Sequence, residues 1–114
     1  MLATGQGGAV RIYVEKNDGS VLKPSTIDEV DLADAKVAWI DLEGPTDDEM
    51  QKASTLVGAH PVALEYCKRM DPLPKVQEFP SNLFVSWCFI SPEQEAGELS
   101  TETVCMFLGA NFLL

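Results

Sequence analysis

The first sustained pattern is at Ala9–Glu15 (AVRIYVE), where apolar and polar residues alternate. Val10, Ile12 and Val14 share one face and Arg11, Tyr13 and Glu15 the other, which predicts a half-buried strand. Asn17-Asp18-Gly19 marks a turn, and Val21-Leu22 a short returning strand, so a hairpin is expected. Ahead of it, residues 1–8 (MLATGQGG) are Gly-rich and read as a flexible N-terminus. Pro24-Ser25-Thr26 opens a polar stretch. Residues 27–35 then carry Asp28, Glu29, Asp31 and Asp34 with sparse apolar positions, as one short helical turn or a loop. Four close carboxylates suggest a cation site, but no oxygen-ligand loop with its required Gly is present, which favours a solvated acidic connector.

Lys36–Leu42 (KVAWIDL) predicts a buried strand, with Val37 and Trp39 on one face and Ala38, Ile40 and Leu42 on the other. Apolar residues on both faces imply cover on both sides. Asp41, near the strand end, is placed to reach a loop backbone. Gly44-Pro45 stops the strand. Thr46-Asp47-Asp48-Glu49 has the spacing of a capping box, with the Thr46 hydroxyl accepting from the Glu49 amide and the Glu49 carboxylate from the Thr46 amide. Asp47 and Asp48 suit the positive end of the helix dipole. These acids therefore have structural work. Met50, Ala53, Leu56 and Val57 form the apolar stripe, and Gly58 ends the helix in a left-handed position. His60-Pro61 starts a second helix, with His60 at the cap; Ala63 or Leu64, Cys67 and Met70 form its apolar face, and Asp71-Pro72 ends it.

Pro74–Phe79 reads as a short strand and Asn82–Ile90 (NLFVSWCFI) as a central one, with Leu83, Val85, Trp87 and Phe89 on one face and Phe84, Cys88 and Ile90 on the other. Ser91–Ser100 is an acidic Pro/Gly loop, Thr101–Leu108 another strand, and Gly109-Ala110-Asn111 a tight turn. Phe112–Leu114 begins a partner strand, so the chain is expected to be a fragment cut inside a hairpin. The predicted class is α/β, with residues 9–114 as one domain.

Charge narrows the function. With 18 acidic against 8 basic residues the net charge is −10, which argues against a nucleic-acid partner. Hydrophobic residues make up 46% of the 114, enough for a core. Cys67, Cys88 and Cys105 have no framework spacing and sit among apolar neighbours, as reduced packing thiols do. No apolar run approaches the roughly 18–20 residues of a membrane helix, and no secretory leader pattern is visible. There is no GxSxG, no phosphate-cradling GxxxxGK, and no GxGxxG after a strand. His60 is the only histidine and has no second ligand at metal spacing. The chain is not expected to be an enzyme or to carry a cofactor.

The ordered series WIDL, PTDDE, GAHPVALE, PKVQEF, NLFVSW and ETVCMFLGANFLL resembles the cytoplasmic N-terminal domain of CorA-type magnesium/cobalt transporters across Val37–Leu114. The resemblance implies an α/β/α sandwich with a mixed central sheet and helices on its faces. It implies homopentameric membrane channels for Mg²⁺ and related divalent cations, with this segment on the cytoplasmic side. A stalk helix and two membrane helices with a Gly-Met-Asn signature would follow Leu114, and the domain would contribute to assembly and gating. It further implies an acidic pair after the His-Pro helix start, whose second acid helps bind a regulatory divalent ion. Here that pair is Glu65-Tyr66, and tyrosine is a poor ligand for Mg²⁺. Glu65 is the metal-site candidate, against an ordinary exposed helix glutamate. The departure leaves open the zinc-transporting branch of the superfamily. Two other classes compete: a stand-alone soluble binding module, and a small enzyme using His60 and Cys67.

Overall fold

The computed structural model describes residues 2–3, 9–69, 74–92 and 99–114, with side chains for 9–69, 74–90 and 102–114. In chain order the elements are β1 (Leu2–Ala3), β2 (Ala9–Lys16), β3 (Val21–Leu22), β4 (Ala35–Glu43), α1 (Asp47–Val57), α2 (Pro61–Arg69), β5 (Lys75–Glu78), β6 (Leu83–Pro92), β7 (Leu99–Leu108) and β8 (Phe112–Leu113). Met70 and the helix stop at Asp71-Pro72 lie outside the described residues.

The strands form one sheet in the order β3-β2-β4-β1-β7-β6-β5, and β8 also pairs with β4 and β7. It is mixed, because β1 and β8 run parallel to β4 and antiparallel to β7. The remaining pairs are antiparallel: β2–β3, β5–β6 and β6–β7 join strands consecutive in the chain, while β2–β4 brings together strands separated by residues 17–34. The expected hairpin at Asn17-Asp18-Gly19 is there, with Gly19 at φ 89° and the Asp18 carboxylate accepting from the Ser20 amide at 2.9 Å. Residues 27–35 resolve into 3-10 turns at Ile27–Glu29 and Leu32–Asp34, and the Asp31 side chain accepts from the Ala33 amide at 3.0 Å. The Ser91–Ser100 loop is shorter than expected: Ser91 pairs with Ser100 and Pro92 with Leu99. Beyond Ser86 no described strand lies outside β6, so a proline there removes no donor the sheet needs. Residues 93–98 lie outside the described ones.

Alternation fixes which face is core. Ile12 and Val14 of β2, Ala38, Ile40 and Leu42 of β4, Phe84 of β6, and Cys105 and Phe107 of β7 are buried in one cluster. Against them pack Ala53 and Val57 of α1 and Ala63, Tyr66 and Cys67 of α2. Both helices thus cover the same face. On the other face Val37 is 47% and Trp39 46% exposed, and Tyr13 stacks on Trp39 at 5.7 Å between ring centroids. The α/β class with a mixed sheet is as expected; the described residues supply that sheet and one helical layer. Asp41 reaches Arg11 on β2, directly opposite it, at 3.1 Å, rather than a loop backbone. A cross-strand ion pair is the nearer partner for a side chain on a strand interior.

Candidate functional site

The start of α2 gathers most of the residues the sequence singled out. His60 sits before Pro61, whose missing amide suits the first helical turn. Its Nδ1 accepts a hydrogen bond from the Val62 amide at 3.1 Å, so the imidazole caps the helix. The ring also stacks on Phe79 with centroids 4.7 Å apart. This ties α2 to the end of β5. One turn on, Glu65 points outward and is exposed. It has no ion pair or hydrogen bond among the described residues, so its carboxylate is open to solvent and to a cation.

Tyr66 does the opposite. It is 6% exposed and meets Phe84 edge-on at 5.8 Å. Phe84 in turn packs on Phe107 at 5.0 Å. Lys75 Nζ stands 4.9 Å from the Tyr66 ring centroid and the Arg69 guanidinium 5.8 Å, so two cations flank the ring. Sequence reasoning treated Tyr66 as a departure from an acidic pair and overlooked it as core. The spacing Ala63, Tyr66, Cys67 carried that signal. The position that the resemblance assigns to an acid is here an aromatic anchor for α2.

Cys67 is buried beneath α2 and shares a hydrogen bond with Cys105 of β7; that bond, and then burial, push its thiol well above the usual range. Cys67 is a protonated packing thiol at neutral pH, whereas a nucleophile needs thiolate. His60 is engaged with Val62 and Phe79 instead.

The acidic residues are largely structural. The capping box forms, with the Glu49 amide donating to Thr46 Oγ1 at 3.1 Å and the Thr46 amide to Glu49 Oε1 at 3.0 Å. Lys52 bridges Asp28 at 3.0 Å and Asp48 at 3.2 Å, which raises its pKa. Lys16 holds Asp34 at 3.0 Å. A groove of ≈ 330 Å³ runs between the Ile27–Glu29 turn and α1, lined by Ile27, Val30, Thr55 and Leu56 with the Asp28–Lys52 pair at its side. Among the described residues no three His, Cys, Asp or Glu side chains converge as a metal group. No described helix is long and apolar enough to cross a membrane.

Two side-chain amides were not anticipated. Asn82 Nδ2 donates to the carbonyls of Val57 and Gly58 at 3.3 and 3.4 Å, closing the end of α1 against the start of β6. Asn111 Nδ2 donates to the Leu32 and Ala35 carbonyls at 2.8 and 3.2 Å, fixing the β7–β8 turn onto the start of β4.

A mixed sheet backed on one face by two capped helices defines an α/β module. The family model described as "CorA-like Mg2+ transporter protein" matches residues 34–114, well over half of the chain. The chain therefore belongs to the CorA-like family. Among solved structures, it is similar to the soluble domain of CorA from Methanocaldococcus jannaschii, at TM-score 0.69 and 22% identity, covering 93% of this chain and 39% of that one. It is also similar to the complete CorA magnesium transporter of the same organism, at TM-score 0.61 and 23% identity, covering 92% of this chain and 31% of that one. At such identities the likeness is one of fold. The chain spans well under half the length of these neighbours. No curated protein sequence matches it.

Proposed function

We propose that this chain is the cytoplasmic domain of a divalent-cation transporter, with Mg²⁺ the favoured ion, acting in assembly and gating of a longer membrane protein. The observation that carries this reading is the family match over residues 34–114, joined to a fold similar to that of a CorA soluble domain. In this reading the membrane helices lie outside these residues, and identical subunits, five by resemblance, are the partners. Glu65 is the residue on α2 that would meet a divalent ion. Since Tyr66 is turned into the core, a second ligand would have to come from elsewhere, such as a neighbouring subunit.

The coding sequence downstream of Leu114 tests this. It is expected to continue into a long helix and two apolar spans with Gly-Met-Asn. A stop codon directly after Leu114 would overturn the proposal in favour of a stand-alone module.

A further inference from the structure

All three cysteines of the chain lie on the helix-covered side of the sheet or on a helix above it. On β6 that side carries Phe84, Ser86 and Cys88, and on β7 Thr103, Cys105 and Phe107. Ser86 stands directly opposite Cys105, and Cys88 opposite Thr103. Cys67 meets Cys105 from α2, and the two thiols share a hydrogen bond. Both residues are deeply buried, at 4% and 3% exposure, whereas Cys88 is half-buried.

The surroundings of Cys105 are more polar than packing alone requires. It faces a second sulfur across the helix–sheet interface and a hydroxyl across the strand pair. That hydroxyl, Ser86 Oγ, is buried and has no hydrogen-bond partner among the described residues. An unpaired buried donor is costly in the resting fold, and it stands in reserve for a charge beside it. Cys67 donates to Cys105, which lowers the Cys105 thiol pKa and makes Cys105 the member that ionises first. Among the described residues no third metal-ligating side chain converges on the pair, so oxidation is the chemistry it fits.

We propose that Cys67 and Cys105 are an oxidisable thiol pair, which hydrogen peroxide closes into a disulfide that staples α2 to β7. The Cys105 thiolate attacks one peroxide oxygen and the O–O bond breaks, which leaves a sulfenic acid on Cys105. The hydroxide released takes up the proton that Cys105 gave up and departs as water. The Cys67 sulfur then attacks the sulfenic sulfur and the S–O bond breaks. The Cys67 proton leaves with that hydroxyl as a second water. Two thiols and one peroxide thus give one disulfide and two waters. The sulfurs, already in contact, have to close to about 2.05 Å. The oxidant is little larger than water, so small displacements of the nine-residue α2 admit it where alkylating reagents are kept out. The bond closes a loop of about 40 residues and fixes on the sheet the helix that carries Glu65. In a compartment that keeps thiols reduced, such a bond is transient and responds to oxidant. The inference rests on the placement of the thiols and is independent of the transport reading.

Peroxide treatment of the native 114-residue chain tests it, in the wild type and in Cys88→Ser, which alters only a half-buried position. In Cys88→Ser the intact mass should fall by two hydrogens, and N-ethylmaleimide in denaturant should find no free thiol. Trypsin should then release residues 53–68 linked to residues 76–114. The oxidised chain should melt roughly 8–16 °C higher, and dithiothreitol should reverse both changes. In the wild type Cys88 should remain the one thiol open to alkylation. Free thiols at both positions after peroxide would overturn the proposal, as would sulfinic acid on Cys105 with Cys67 still free. So would a Cys88–Cys105 bond in the wild type, or linked peptides without a rise in Tm, which would mark a bond made in unfolded molecules.

Discussion

Neighbouring residues of β4 should differ sharply in what they contribute, because the described helices cover one face of the sheet. Ile40 is 0% exposed in the core cluster, while Val37, three residues earlier on the opposite face, is 47% exposed. Ile40→Ala removes a fully buried side chain beneath the helices, where such truncations cost about 2–5 kcal/mol including the cavity. Val37→Ala removes two methyl groups that are half in water; at roughly 0.8 kcal/mol for each carbon fully buried, about 1 kcal/mol is the ceiling. A chain of this length unfolds with an entropy near 0.24 kcal/mol/K, so each kcal/mol corresponds to about 4 °C in Tm. Ile40→Ala should therefore lower Tm by roughly 8–20 °C and Val37→Ala by no more than about 4 °C. Thermal melts by far-UV circular dichroism on the 114-residue chain measure both. Equal losses at the two positions would refute the one-sided core.

Gly109→Ala would drive a Cβ into the Phe112 ring, and should destabilise by about 1–3 kcal/mol in urea unfolding; a neutral effect would mean that the turn packs otherwise. Thr46→Ala removes the hydroxyl that accepts from the Glu49 amide, leaving the backbone arm of the capping box, and should cost about 1 kcal/mol, with Thr46→Ser close to wild type. Because the Cys105 hydrogen bond and burial hold the Cys67 thiol protonated, iodoacetamide near neutral pH should label half-buried Cys88 first. Cys67 should react only on unfolding, and raising the pH to 9 should not change that; fast native labelling of Cys67 would revive a nucleophilic role. With a single exposed carboxylate at Glu65, Mg²⁺ binding to this chain alone should be weaker than about 1 mM by calorimetry. A sub-millimolar isotherm abolished by Glu65→Gln would show a site that this geometry does not provide.

Local chemistry was legible from the chain. The β2 alternation, the Thr46–Glu49 capping box, the left-handed Gly58 at φ 66° and the His60-Pro61 helix start all depend on neighbours within four residues. What escaped depends on distant partners. Asn111 bonds carbonyls at positions 32 and 35, and Asp41 finds Arg11 across a strand pair. Apolar residues on both sides of β4 correctly announced a sheet strand, yet not that the described helices would take one side. Tyr66 was obscured by the very motif comparison that identified the chain, because an expected acid drew attention from its helical spacing to the core. The place of Leu2–Ala3 could not be read from a Gly-rich terminus, since its partners, Leu42 and Glu43 on β4 and Val104 and Cys105 on β7, are far away in the sequence.

The functional claim is tested most directly by cation flux. The gene product that contains this domain, reconstituted into liposomes loaded with a Mg²⁺-sensitive dye, is predicted to admit Mg²⁺ down its gradient. Ile40→Ala, by weakening the domain, should reduce assembled protein and flux together. An assembled, folded protein that passes no Mg²⁺ while admitting Zn²⁺ would place it in the zinc branch; one that passes neither would contradict the account.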